Sequence, residues 1–178
     1  KRQMTTQEGE NTRVIGIAGN FDDAQNGVKA IFADEGLRER IAGRGYRFSS
    51  ANSINIGRVL PQCVYYVWGY AQVAEEGEEA VICVPSGNFG NAFGCELAWR
   101  MGLPLRRLLM PTNENDEFPD FLETGVYGVV DPSRKCISNA MNVGHPSNLA
   151  RFFDIYGGNV DKEGKVHRNP DISLMRRR

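Results

Sequence analysis

The sequence lacks the features that mark several classes of protein. In 178 residues it has no apolar run approaching the roughly 18 residues that cross a membrane, and its first eleven residues are polar, unlike a signal peptide. Its net charge is −1, so no basic excess indicates a nucleic-acid partner. It also has no internal repeat and no low-complexity segment. We therefore expect a globular, cytoplasmic protein without a membrane or nucleic-acid partner.

Cysteine and histidine are too few and too scattered for a metal centre. No two cysteines form a Cys-x-x-Cys pair, and neither histidine has a ligand-like spacing with any of them. Each cysteine lies in an apolar context, so we expect reduced, buried thiols. The cysteines are Cys63, Cys83, Cys95 and Cys136, and the histidines are His145 and His167.

Apolar, β-branched runs alternate with segments of helical spacing. This order predicts an α/β fold, with a parallel sheet, helices on both faces and right-handed crossovers. Pro61 predicts a kink in its helix. The polar last twenty residues are expected to be poorly ordered or partly helical. The predicted strands are 14–19, 80–84 and 105–110, the predicted helices are 24–37, 56–75, 92–101, 118–122 and 149–156, and 126–130 is a strand or irregular.

A glycine-rich turn at 84–94 joins a predicted strand to a predicted helix. It reads Val-Pro-Ser-Gly-Asn-Phe-Gly-Asn-Ala-Phe-Gly. Free N–H groups in the first turn of a helix, with the helix dipole, favour an anion, and glycine allows the backbone to approach it closely. Asn88 and Asn91 add amide donors. The spacing matches neither the Gly-Lys-Ser/Thr phosphate loop nor Gly-x-Gly-x-x-Gly, so an ordinary tight turn is the alternative.

The turn resembles a loop of a known enzyme family. Ser-Gly-Asn-Phe-Gly-Asn at 86–91 is similar to the loop that binds the phosphate of pyridoxal 5'-phosphate (PLP) in threonine synthase, a tryptophan-synthase-β-like enzyme. Asn142 departs from the family, which usually has Asp there, and Pro61 interrupts a helix that the family more often leaves intact. Four further motifs occur in the family's order, at 19–23, 52–58, 112–116 and 138–143, so that the resemblance spans about residues 14 to 155.

The resemblance implies a lyase of threonine biosynthesis with the PLP-dependent fold type II. Such an enzyme converts O-phospho-L-homoserine and water to L-threonine and phosphate. A threonine-synthase-like phospho-lyase, which releases a keto acid, could share the whole segment, and a non-catalytic domain that binds a phosphorylated metabolite is a further alternative. The cofactor-binding residues implied are Ser86, Gly87, Asn88, Phe89, Gly90 and Asn91.

The lysine that holds PLP in the family has no counterpart here. The family places it in a Phe-Lys-Asp context, upstream of the matched region, and no lysine of this chain has that context. We therefore expect 1–178 to be a single domain or the central fragment of a longer threonine synthase, with no catalytic residue of its own and inactive alone. The rest of the enzyme chain would be its partner. The lysines are Lys1, Lys29, Lys135, Lys162 and Lys165.

The segment 52–58 provides candidates for binding the substrate. Ser53 is predicted to be the N-cap of the following helix, which places Asn55 and Arg58 on one face of its first turns. An amide and a guanidinium beside a helix N-terminus suit the dianionic phosphate of the substrate. Alternatively, Ser53 and Asn55 only cap the helix and Arg58 lies in solvent. The turn at 20–23 is interpreted as a helix cap.

Overall fold

The computed structural model describes residues 5–138 and 141–177. The predicted motif at 138–143 therefore lies partly outside the described residues. The helices are α1 (Phe21–Ala33), α2 (Glu35–Ala42), α3 (Ile56–Val59), α4 (Cys63–Val73), α5 (Gly90–Arg100), α6 (Glu117–Thr124), α7 (Leu149–Ile155) and α8 (Ile172–Arg177), with a 3-10 turn at Leu60–Gln62. The strands are β1 (Ala80–Cys83), β2 (Leu105–Leu109), β3 (Asn159–Val160) and β4 (Val166–Arg168).

The unit β1–α5–β2 forms the centre of the α/β fold. β1 pairs with β2 in parallel, with Ile82 opposite Leu108, so a helical crossover has to join them, and α5 is that crossover. Hydrogen bonds between the ends of the strands continue the pairing, from Val84 N to Leu109 O and from Ser86 N to Pro111 O, both at 2.8 Å. The loop after β1 is thereby fixed at the carboxyl edge of the sheet, where ligands bind in such folds.

Phenylalanines form the core beneath this loop. The rings of Phe89 and Phe118 meet edge to face with centroids 5.1 Å apart, and those of Phe93 and Phe152 do so at 5.3 Å. All four side chains are buried. Because such ring pairs stabilise beyond their buried area, they hold the loop, α5, α6 and α7 together as one unit.

The amino-terminal part differs from the prediction. Residues 14–19 form no strand, and Ile15 is 83% exposed, since no described strand lies beside the segment. The single helix predicted at 24–37 is two helices, because Asp34 leaves helical geometry and its side chain caps α2 through Leu37 N at 2.8 Å. The predicted cap is confirmed, since Asn20 and Asp23 form a reciprocal capping box.

At Pro61, where a kink was predicted, a 3-10 turn interrupts the helix and separates α3 from α4. The predicted apolar stripe on this helix is only partly buried. Cys63 is buried together with Val59 and Tyr66, on the side that packs on α5. The other large members of the predicted stripe are about half exposed or more, because no described element covers that side. They are Ile56, Leu60, Val64 and Val67.

The last twenty residues are more ordered than predicted. β3 and β4 pair antiparallel, and α8 follows them. The partial helix that was expected as one alternative is α8, whereas β3 and β4 were missed because each has only two or three residues, too few for a visible pattern. Buried Val160 and Met175 attach this polar segment to the core. Residues 126–130 are irregular.

The thiols agree with the prediction in part. The four cysteines are free, and Cys63 and Cys95 are buried. Cys83 is exposed, because it falls on the open face of β1, and Cys136 is half-buried. Within the described ranges, no helix is long and apolar enough to span a membrane.

Candidate functional site

The loop between β1 and α5 owes its shape to one residue with unusual backbone geometry. Phe89 precedes the first residue of α5 and has φ 56° and ψ 10°, in the left-handed region that side-chain-bearing residues rarely adopt. Its ring is 3% exposed and lies in the phenylalanine core. The buried ring thus holds a backbone turn that points the start of α5 towards the cavity.

The loop presents a series of free backbone donors. Ser86 N donates to Pro111 O, and Phe93 N closes the first helical hydrogen bond with Phe89 O. Between them, the N–H groups of 87–92 donate to no other described residue. Free N–H groups at the positive end of a helix of eleven residues form a site suited to an anion.

Two glycines allow neighbouring segments to approach the loop closely. A Cβ atom added to Gly87 would lie 2.8 Å from the carbonyl oxygen of Met141, and one added to Gly90 would lie 3.0 Å from Ser53 Cβ. Both distances are shorter than ordinary van der Waals contact. Glycine is therefore required here so that the two walls of the cavity can close on the loop.

The loop forms one side of a cavity of about 610 Å³. The opposite sides come from α1, from the turn before α3 and from the segments that follow β2. The cavity is lined by Phe21, Gln25, Asn52, Ser53, Gln62, Pro85, Ser86, Gly87, Asn88, Phe89, Gly90, Asn91, Pro111, Thr112, Asn113, Ser138 and Met141. All six residues predicted to bind the cofactor are thus brought together.

The side chains of the two loop asparagines bind mainly to the protein. Asn88 Oδ1 accepts from Ser147 N at 2.7 Å, and Asn88 Nδ2 donates to Ser53 Oγ at 3.1 Å. Asn91 Nδ2 donates to Gln62 Oε1 at 2.9 Å, while its Oδ1 accepts from Tyr66. The two amides therefore fix the shape of the loop, and the backbone N–H groups are its free donors.

Of the three residues predicted to bind substrate, only Ser53 lines the cavity. Asn55, rather than Ser53 as predicted, is the N-cap of α3, because its Oδ1 accepts from Gly57 N at 2.9 Å. Arg58 is exposed, and its Nε donates to Ala51 O at 2.8 Å. The segment thus reaches the cavity through Ser53, while Asn55 and Arg58 lie on its outer side.

Two polar residues that the sequence did not reveal connect Ser53 with the loop. Asn148 is fully buried, and its Nδ2 donates to Ser53 Oγ at 2.8 Å and to Asn88 O at 2.9 Å. Arg151 Nη1 donates to Ser53 O at 2.7 Å, and its Nη2 donates to Ile54 O at 2.9 Å. Neither residue was assigned a role from the sequence, because nothing in the pattern around the predicted helix indicates these contacts.

Arg151 also brings positive charge close to the cavity. No carboxylate of the described ranges forms an ion pair with it, and burial lowers the pKa of its guanidinium. An arginine remains charged despite such a shift. The segment beside the loop therefore contains a half-buried cation without an acidic partner, which favours an anionic ligand.

A second polar cluster lies further along α5, outside the cavity. Glu96 is buried, and its Oε1 accepts from Arg100 Nε at 2.7 Å and from Tyr156 OH at 2.9 Å. Burial, and then the Glu96 carboxylate, raise the pKa of Tyr156, so the phenol stays protonated. The cluster attaches α5 to α7 and does not line the cavity.

No lysine of the described ranges lines the cavity. Lys29 is exposed on α1, and Lys135, Lys162 and Lys165 are exposed elsewhere on the surface. The described residues thus provide donors for an anion but no amine beside them.

Comparison with known proteins shows which proteins contain a similar segment. No family model matches the chain. It is 40% identical over 160 residues to the threonine synthase of Pseudomonas aeruginosa, which covers 89% of this chain and 33% of that protein. It is 36% identical over 154 residues to the threonine synthase of Saccharomyces cerevisiae, with 85% of this chain and 29% of that protein covered.

Solved structures give the same result. The threonine synthase of Escherichia coli superposes with a TM-score of 0.74 at 38% identity, covering 83% of this chain and 33% of that one. The PLP-bound threonine synthase of Brucella melitensis superposes with a TM-score of 0.72 at 34% identity, covering 98% of this chain and 34% of that one. The α/β class with a parallel sheet is confirmed, and the chain spans about a third of the length of these relatives. In sequence and in structure, the chain is thus similar to a segment of threonine synthase, as its motifs indicated.

Proposed function

We propose that this chain is the segment of a PLP-dependent threonine synthase that binds the phosphate of the cofactor. The observation that carries the proposal is the run of free N–H groups at 87–92, in a loop whose sequence resembles the family's PLP phosphate loop. The free groups lie at the start of α5, where the helix dipole adds to their attraction for a phosphate. Ser86 to Asn91 are the residues that would hold it.

Two features of the loop favour a phosphate-binding role over that of an ordinary tight turn. A turn alone does not need Gly87 and Gly90 pressed against Met141 and Ser53, nor a left-handed Phe89 held by a buried ring. These features fix the shape of the loop, with the N–H groups of 87–92 free, before a ligand arrives. The ordering of polar groups towards a ligand is typical of preorganised sites.

In the whole enzyme, the bound cofactor supplies an electron sink for the amino-acid substrate. The residues of this chain bind and orient the cofactor and the substrate. The loop holds one phosphate, while Ser53, Asn55 and Arg58 are proposed to act on the phosphate of O-phospho-L-homoserine. Asn55 and Arg58 lie outside the cavity, so Arg58 would have to leave its contact with Ala51 O to reach a substrate.

We assign this chain the role of a part rather than a complete catalyst, and infer that the remaining enzyme chain is its partner. The lysine that holds PLP in the family has no match here, and the described lysines lie away from the cavity. The free thiols agree with a reducing compartment, so we also propose a cytoplasmic location.

The test uses the full-length enzyme, with O-phospho-L-homoserine as substrate. Formation of L-threonine and phosphate in equal amounts, dependent on added PLP, supports the proposal. Release of a keto acid with phosphate instead assigns the segment to a phospho-lyase. Failure to bind PLP, measured by its absorbance after dialysis, refutes both and leaves the binding of another phosphorylated metabolite.

A further inference from the structure

Ser53 lies between the amide side chains of Asn88 and Asn148, and other residues fix the orientation of each amide. Asn88 Oδ1 accepts from the backbone N–H of Ser147, which can only donate, so the other end of that amide is the NH₂ group. Asn148 Oδ1 accepts from Arg151 Nη1, which also can only donate. Both NH₂ groups are therefore turned towards the same hydroxyl.

The hydroxyl of Ser53 consequently accepts twice. Asn88 Nδ2 lies 3.1 Å and Asn148 Nδ2 lies 2.8 Å from Ser53 Oγ. A serine oxygen has two lone pairs, and both are used by these contacts. No described acceptor receives the remaining hydrogen, and Ser53 lines the cavity. The hydroxyl is thus left as a donor to whatever occupies the cavity.

We propose that Asn148, held by Arg151, is a positioning residue that fixes the Ser53 hydroxyl as a hydrogen-bond donor to the phosphate of the substrate. The proposal rests on the proposed function, and it assigns roles to two residues outside the predicted site. Arg151 contributes twice, since it orients the Asn148 amide and also binds the carbonyl oxygens of Ser53 and Ile54. A guanidinium suits this task because its planar set of donors reaches several acceptors at once.

The test is the Asn148→Asp variant of the full-length enzyme. A carboxylate has no donor to offer Ser53, so the hydroxyl would turn and donate to it. The variant also loses the bond from Asn148 Nδ2 to Asn88 O in the loop, so PLP affinity is measured beside kcat/KM and the variants are compared at saturating PLP. We expect kcat/KM for O-phospho-L-homoserine to fall about 10- to 100-fold, as for a lost hydrogen bond to a charged group. The dissociation constant of inorganic phosphate, measured by titration, should rise by a similar factor.

A double-variant cycle with Ser53→Ala separates an effect on the orientation of the Ser53 hydroxyl from an effect of the added negative charge. If Asn148 acts through the hydroxyl, adding Asn148→Asp to Ser53→Ala changes kcat/KM less than twofold. If the new carboxylate acts by repelling phosphate, the same loss persists in the Ser53→Ala background, and the proposal is wrong. Asn159→Asp, an equal charge change at the exposed position of β3, should leave kcat/KM and phosphate affinity unchanged.

The outcome also distinguishes this proposal from the proposed function. If the wild-type enzyme makes no L-threonine, the proposed function fails first. If the wild type is active while Asn148→Asp keeps its kcat/KM, only the positioning role is refuted. Should Asn148→Asp fail to fold, as judged by thermal unfolding, Arg151→Gln replaces it in the same cycle, because loss of the guanidinium frees the Asn148 amide to reverse.

Discussion

Replacing Gly87 by alanine tests whether the cavity wall presses on the loop. The added Cβ would lie 2.8 Å from the carbonyl oxygen of Met141 and 3.0 Å from its Cβ. The first contact is with backbone, so a side-chain rotation cannot relieve it, and either the loop or the wall has to move by several tenths of an ångström. Overpacking of this kind costs about 1–3 kcal/mol. If that cost falls on the bound state, PLP affinity weakens by roughly 5- to 150-fold.

The assay is a titration of the full-length apoenzyme with PLP, followed by absorbance, together with thermal unfolding. Gly69→Ala is the matched control, because Gly69 lies within α4 and an added Cβ there meets nothing within 4 Å. Alanine in the middle of a helix stabilises by about 1 kcal/mol relative to glycine. The control should thus keep its PLP affinity and unfold at the same or a higher temperature. Wild-type PLP affinity and unfolding temperature in Gly87→Ala would refute the argument.

Three further predictions follow from the sequence and the described contacts. Burial, followed by the charge of Glu96, raises the pKa of Cys95 from 9.0 to about 12. The thiol therefore ionises at lower pH in the unfolded chain than in the folded one, and the free energy of unfolding falls as pH rises through this range. Cys95→Ala should reduce this pH dependence, as measured by denaturant titrations at a series of pH values. Arg58→Lys should raise KM for O-phospho-L-homoserine without changing PLP affinity, and an unchanged KM would leave Arg58 as a surface charge. Borohydride reduction of the isolated chain with PLP should label no single lysine specifically, as checked by peptide mass mapping.

The central unit was predictable because its signals are local. An apolar run, a glycine-rich turn and a helical pattern ended by Gly102 are enough to define β1, the loop and α5. The run at 14–19 has an equally apolar pattern, yet it forms no strand. A strand needs a neighbour to pair with, and a one-dimensional pattern does not show whether the neighbour is there.

In the candidate site, the residues that line the cavity were predictable, whereas the residues that hold Ser53 in place were not. The resemblance indicated the loop and Ser53, which the fold brings to one cavity. Asn148 and Arg151 are about ninety-five residues further along the chain, and nothing in their local sequence indicates a contact with Ser53. The free amides expected of Asn88 and Asn91 proved to be bound to the protein. Asn88 is buried, and a buried amide requires partners, whereas Asn91 is exposed and binds Gln62 and Tyr66 of a neighbouring segment.

The left-handed conformation of Phe89 has a consequence for how a ligand is received. The strain of such a backbone, about 1–3 kcal/mol, is offset by the burial of the ring when the protein folds. The loop is then already ordered, so the binding of a phosphate carries little further cost in conformational entropy. Binding should be rapid and free of a slow ordering step. A smaller residue than Phe89 would shift that entropy loss from folding to binding, and the site would bind the phosphate more weakly.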